Sequence, residues 1–166
     1  MKEDALKLKN LIKDPKHVVI TTHRGPDGDA MGSSLAMFNV LKKFGHNVTV
    51  ITPNKYAEFL HWIPGNNEVI IYEGNETQAQ SITSKADLFF LLDFNNIGRI
   101  GDLGNLITSS KATKVLIDHH QNPDTSMADI VFSDTNACST TQLVYEVIKG
   151  MRFDSYIDKE IAECLY

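Results

Sequence analysis

Apolar residues in this chain fall into short continuous runs, separated by longer stretches in which they recur every three or four positions. The runs are "VVITT" at 18–22, "VTVI" at 48–51, "EVIIY" at 68–72, "LFFLLD" at 88–93, "KVLID" at 114–118 and "DIVF" at 129–132. Rich in β-branched and aromatic residues, each reads as a strand. Strands this continuously apolar are expected to be covered on both faces. Between the first two, residues 30–44 place Met37, Phe38, Leu41 and Phe44 at helical spacing with Gly45 as the C′ residue, and an earlier helix ends before Pro15. The alternation predicts an α/β fold: one doubly wound, mostly parallel sheet with helices on both faces.

In such sheets ligands bind outside the carboxyl ends of the strands, at the point where the winding reverses. The residues at the end of each run are therefore the ones placed to carry chemistry. The stretch "VVITTHRGPDGDAMGSSLAM", residues 18–37, puts His23, Asp27 and Asp29 after the first strand; the run at 88–93 ends in Asp93; the run at 114–118 ends in Asp118, followed by His119 and His120. Each has an ordinary explanation. Pro26, Asp27 and Gly28 form a turn signal, Asp29 reads as the N-cap of the next helix, and Asp93 and Asp118 read as turn caps. Those explanations leave out His23, and they do not address why three strand ends all carry carboxylate or imidazole groups, which are costly to desolvate unless paired. Convergence of such donors is what a metal site requires.

Carboxylates with imidazoles and no thiolate suit Mn²⁺, Mg²⁺, Co²⁺ or a catalytic Zn²⁺ better than a structural zinc. Two aspartates at i and i+2 in a loop can address two neighbouring ions, and a central Asp93 would bridge them, giving ions roughly 3.5 to 4 Å apart. A site of that kind lowers the pKa of a bound water and steadies both oxygens in phosphoester hydrolysis.

Composition narrows the partners. The 166 residues suit one domain with a sizeable core, and the formal net charge of −5 argues against a broad basic surface for duplex nucleic acid. The two cysteines, Cys138 and Cys164, form no CxxC, which fits a reducing compartment. The start "MKEDALKLKNLIKD" lacks the apolar core of a signal peptide, and no run reaches membrane-spanning length. The expectation is a cytoplasmic protein with no membrane partner.

"THRGPDGDAMGSS", "LLDFNNIGRIG" and "LIDHH", in that order and spacing, resemble the first three motifs of the DHH phosphoesterase superfamily. Within it, residues 18–150 look most like the bacterial oligoribonuclease and 3′-phosphoadenosine-5′-phosphate phosphatase group, often called exopolyphosphatase-related. RecJ exonucleases and family II pyrophosphatases are more distant. The resemblance implies that His23 and Asp27 hold one Mn²⁺ and Asp29 and His119 the other, with Asp93 bridging. Asp118 would orient a ligand from behind, consistent with the outer partner that metal-bound histidines need. His120 would contact the scissile phosphate, and Arg99 in "GRIG" would bind a phosphate oxygen, against the reading of a solvated arginine at a helix start. "ACSTTQLVYEVI", 137–148, is similar to the family's small-residue helix start near the substrate: Ser139 or Thr140 would donate to phosphate, or simply begin a capped core helix. His17, His46 and His61 have no motif around them and read as structural.

Family members continue with a fourth motif bearing another metal-binding aspartate, shortly after a helix like "DKEIAECLY", then a linker and a C-terminal substrate-binding domain. Measured against that pattern, residues 1–166 correspond to the N-terminal catalytic lobe, and the expectation is a chain truncated before both. The implied activity is two-metal hydrolysis of short single-stranded RNA and of 3′-phosphoadenosine-5′-phosphate, with Mn²⁺, or Mg²⁺ or Co²⁺, as cofactor and a homodimer compatible with the pattern. The alternatives are a pyrophosphate, polyphosphate or cyclic dinucleotide hydrolase, and a catalytically silent nucleotide-binding module.

Overall fold

The computed structural model describes residues 2–166. Six strands, β1 (His17–Thr21), β2 (Asn47–Thr52), β3 (Ile70–Ile71), β4 (Leu88–Leu92), β5 (Thr113–Asp118) and β6 (Ile130–Ser133), and six helices, α1 (Lys2–Leu11), α2 (Gly28–Lys43), α3 (Glu76–Thr83), α4 (Leu103–Ser109), α5 (Thr140–Gly150) and α6 (Lys159–Leu165), follow one another as α1-β1-α2-β2-β3-α3-β4-α4-β5-β6-α5-α6, with 3-10 turns alone joining β2 to β3 and β5 to β6. The sheet order is β3-β2-β1-β4-β5-β6 and every pairing is parallel. The chain winds outward from β1 in one direction, then returns to β4 beside β1 and winds outward in the other. The crevice between the carboxyl ends of β1 and β4 is thus the switch point.

Alternate residues of each central strand enter opposite cores, as the pleat requires. Val18, Ile20, Phe90 and Ile117 pack with α1, α2, α5 and α6, whereas Val19, Phe89, Leu91 and Leu116 pack with α3 and α4. This is the doubly wound sheet with helices on both faces that the apolar runs predict. The "EVIIY" run is the exception in length. Only Ile70 and Ile71 pair, because Asn66–Glu68 form a 3-10 turn that delays the strand, leaving a short edge.

The long helix α2 starts at Asp27, whose extended backbone and side chain accepting from the Ala30 N–H at 3.0 Å make it the N-cap. The expected N-cap, Asp29, lies inside the first turn and faces elsewhere. At the other end Gly45 takes a φ of 79°, the Gly45 N–H donates to Lys42 and the His46 N–H to Leu41, closing a Schellman motif around the C′ glycine. Gly32 is where α2 meets α6: a Cβ there would sit 2.5 Å from the Cys164 carbonyl oxygen and 3.2 Å from Thr141 Cγ2. No helix among the described residues is long and apolar enough to cross a membrane.

Candidate metal centre

Each donor is delivered by the end of an element whose register is fixed by the sheet. His23 follows β1, Asp93 follows β4, and Asp118, His119 and His120 close β5. The Asp93 backbone adopts φ 65°, a left-handed conformation uncommon for a residue with a side chain and tolerated best by Asn and Asp. Its N–H donates to the Ile117 carbonyl at 3.1 Å, so the turn is tied to β5 as well.

Asp93 is the centre of the cluster. Its Oδ2 lies 3.5 Å from His23 Nε2, and its Oδ1 lies 3.7 Å from His119 Nε2 and 3.8 Å from His120 Nδ1. Two groups with metal-ligating proximity share it: His23, Asp27 and Asp93, and Asp93, His119 and His120, the ligand atoms of each lying within 4.8 Å of one another. Asp29 stands at the edge of the second, its Oδ2 3.6 Å from His119 Nε2.

Hydrogen bonds outside the cluster aim the imidazoles into it. The His23 Nδ1–H donates to the Arg24 carbonyl at 2.8 Å and the His119 Nδ1–H to the Ala137 carbonyl at 3.3 Å, which leaves Nε2 of each ring facing carboxylates. That is the tautomer a metal-binding histidine uses. His120 instead donates Nδ1–H to Asp118 Oδ1 at 2.7 Å. Asp118 is fully buried, and its Oδ2 has no partner among the described residues.

The start of α5 holds the remaining carboxylates. Asp29 accepts the Thr140 N–H on Oδ2 at 2.7 Å and the Thr141 N–H on Oδ1 at 2.8 Å, satisfying donors that a first helical turn leaves orphaned. The Thr140 hydroxyl donates to Asp93 Oδ1 at 2.8 Å. Ser139 caps α5, accepting from the Gln142 N–H at 3.1 Å, and its hydroxyl also lies 2.7 Å from that of Thr141. Both hydroxyls considered for phosphate are thus engaged within the protein. Arg99 lies exposed in the 3-10 turn Ile97–Ile100; its carbonyl accepts the Arg24 N–H at 2.9 Å, and its guanidinium makes no hydrogen bond or ion pair among the described residues.

The crevice carries an excess of negative charge. Asp27, Asp29, Asp93 and Asp118 crowd together there, and among the described residues no lysine or arginine pairs with any of them. Burial pushes the Asp93 carboxyl up, but hydrogen bonds from His23 and Thr140 and the nearby His23 and His120 more than reverse this, holding it below the usual carboxylate value. Asp29 moves the other way, raised first by burial and then by the charge of Asp93, with the two α5 N–H groups offsetting only part. The Asp93 hydrogen bond raises His23 above the ordinary imidazole range, against the opposing effect of burial. A partly buried negative cluster of hard oxygen and imidazole donors fits divalent cations, which would supply the missing countercharge.

Outside the motifs, His46 Nδ1 accepts the Lys16 N–H at 3.1 Å and His17 Nδ1 meets Asn47 Nδ2 at 3.0 Å, at the end of the sheet opposite the crevice. Residues the motifs do not assign are Arg24 and Ala137, whose carbonyls aim imidazoles, and Thr141, through its main chain. Backbone partners leave no residue-type signal, so the sequence carries no trace of them.

Comparison with known proteins shows what the chain is similar to at three levels. A bifunctional oligoribonuclease and PAP phosphatase, NrnA, of Bacillus subtilis is 28% identical over 154 residues, covering 90% of this chain and 44% of the relative. The crystal structure of an exopolyphosphatase-related protein from Bacteroides fragilis superposes with a TM-score of 0.97 at 34% identity, over the whole of this chain and 48% of that one. RecJ from Thermus thermophilus, solved in complex with Mn²⁺, shares the fold with a TM-score of 0.57 at 12% identity, over 95% of this chain and 21% of its own. This chain therefore spans about half the length of the first two. Residues 17–166 match the DHH family, N-terminal domain, and the chain belongs to that family.

Proposed function

We propose that this protein is a two-metal phosphoesterase that hydrolyses short single-stranded oligoribonucleotides and 3′-phosphoadenosine-5′-phosphate in the cytoplasm. The observation that carries the reading is the single carboxylate of Asp93, shared by two donor groups on opposite sides of it. The substrate class is drawn from the activity of the Bacillus subtilis relative, and manganese from the ion bound by RecJ.

His23, Asp27 and Asp93 would hold one Mn²⁺, and Asp93, His119 and Asp29 the second, with His120 beside it. A pair of such ions supplies Lewis acidity at phosphoryl oxygens and a water nucleophile at neutral pH. The chain's own residues do the rest. Asp118 fixes His120 through Nδ1, so that Nε2 is left to accept a proton and pass it on at a phosphate. The exposed Arg99 offers a fork of N–H groups to a second phosphoryl oxygen. Asp29 and Asp93 stay fixed in orientation through α5, so little reorganisation accompanies reaction.

The test is a Mn²⁺-dependent hydrolysis screen of the protein with dinucleotides, 3′-phosphoadenosine-5′-phosphate, pyrophosphate and cyclic dinucleotides. Turnover of the first two is expected. Exclusive turnover of pyrophosphate or a cyclic dinucleotide would replace the substrate assignment, and nucleotide binding without hydrolysis would replace the enzyme with a binding module.

A further inference from the structure

Thr140 holds two carboxylates at once. Its hydroxyl donates to Asp93 Oδ1 at 2.8 Å and its main-chain N–H to Asp29 Oδ2 at 2.7 Å, while the next N–H along, that of Thr141, takes the other oxygen of Asp29 at 2.8 Å. The residue is fully buried. Its hydroxyl is the first side chain of α5, so it has no preceding helical turn whose carbonyls it could bond, which is the usual local outlet for a helical threonine. Local helix chemistry is served by its neighbour instead, since Ser139 is the cap. The Thr140 side chain is therefore directed at Asp93 without being needed to start the helix.

We propose that Thr140 is a positioning residue that sets the orientation and separation of Asp29 and Asp93 for the metal pair, an inference that rests on the two-metal reading of the proposed function. Three features make it effective. The Asp93 backbone is already confined by its left-handed φ and its bond to Ile117, which leaves the carboxylate's rotation as the main remaining freedom. Thr140 on Oδ1 and His23 toward Oδ2 fix that rotation from opposite sides. The position of Thr140 itself is set by core packing, because Leu143, Val144, Val147 and Ile148 on the same helix are buried against the sheet side that carries α2. Threonine suits the task because its β-branched side chain is stiff at χ1, with few rotamers open to it. Through this one residue the packing of α5 governs the geometry of both acidic ligands, in the way outer partners of metal ligands govern affinity.

The experiment compares Thr140→Val, which keeps the shape and removes the hydroxyl, with Thr140→Ser, which keeps the hydroxyl, in the metal-depleted protein. Mn²⁺ binding is followed by calorimetry, and thermal melting and kcat against KM are measured alongside. Thr140→Val is expected to weaken Mn²⁺ binding by about tenfold to a hundredfold and to lower kcat more than it raises KM. Thr140→Ser should stay within about threefold of the parent on the same scale of affinities. Wild-type Mn²⁺ affinity in Thr140→Val would overturn the inference and leave the proposed function standing. So would equal losses in both variants, which would assign the effect to packing of the methyl group. A parent protein that binds no Mn²⁺ would overturn this inference and the proposed function together. If Thr140→Val does not fold, Thr140→Ala against Thr140→Ser makes the same comparison, with the same outcomes deciding it.

Discussion

Nε2 of His23 lies 3.5 Å from Oδ2 of Asp93, joining the ends of two strands that are neighbours in the sheet but far apart in the chain. The relationship exists because the sheet reverses its winding between β1 and β4. Connections leave that point in opposite directions, so groups at these two strand ends face one another across an open crevice. The contents of the crevice and the supports behind it can be tested residue by residue.

Asp93→Asn should lower Mn²⁺-dependent turnover by about a hundredfold or more, because the charge that the proposed pair of ions would share is lost while the side chain keeps its shape. Asparagine tolerates the left-handed backbone, so the melting temperature should stay within a few degrees of the parent. Asp93→Ala at the same φ should cost about 1 kcal/mol more in folding stability. Near-normal Mn²⁺-dependent turnover of Asp93→Asn would remove the shared carboxylate from the mechanism.

Asp118→Asn retains an oxygen for the His120 Nδ1–H but removes the charge behind the imidazole. Turnover should fall by about tenfold to a hundredfold. His120→Ala should fall at least as far, and the double variant should lose little beyond His120→Ala, since Asp118 acts through that ring. Losses that multiply in the double variant would give Asp118 a role of its own. Steady-state kinetics of the three variants decide between these.

Gly32→Ala places a methyl group 2.5 Å from the Cys164 carbonyl oxygen, so α2 and α6 must separate. The expected cost is about 1–3 kcal/mol, read as a lower denaturant midpoint. Gly28→Ala, one turn earlier in the same helix and facing open space, should be neutral or stabilising by about 0.5 kcal/mol. Equal effects at both positions would show that helix propensity, rather than the close approach of α6, sets the response.

The two cysteines should separate by reactivity. Burial pushes the Cys164 thiol up to about 12, so below that pH it stays protonated and unreactive, whereas Cys138 is exposed. At mildly alkaline pH, iodoacetamide followed by mass spectrometry should label Cys138 first and Cys164 only under denaturing conditions. Equal labelling rates in the native protein would mean that α6 opens readily.

The sheet and the strand-end donors were legible because both follow from local pattern: apolar runs mark buried strands, and His23, Asp93 and the Asp118-His119-His120 series come directly at their ends. Two things were not. The residue that caps α2 is Asp27 and not Asp29, since Asp29 has a better use at the start of α5, a remote part of the sequence that no local signal connects to it. The edge run at 68–72 shortens to two paired residues because a 3-10 turn before it competes for the same segment. Long-range partners and edge lengths depend on the assembled fold, whereas periodicity reports only on the chain itself.

The bonds from Thr140 and Thr141 to Asp29 also turn two main-chain amides into a gauge of the crevice. Amides in the first turn of a helix ordinarily lack a protein acceptor and exchange rapidly with solvent. Here both are closed off by a carboxylate in the first turn of α2, more than a hundred residues earlier in the chain. Their exchange rates therefore report whether the start of α5 stays closed on α2. Any cation that binds only while these bonds are closed will slow that exchange by a factor that grows with its concentration relative to its dissociation constant. Ion loading of the crevice thereby becomes readable at two adjacent backbone positions without a substrate.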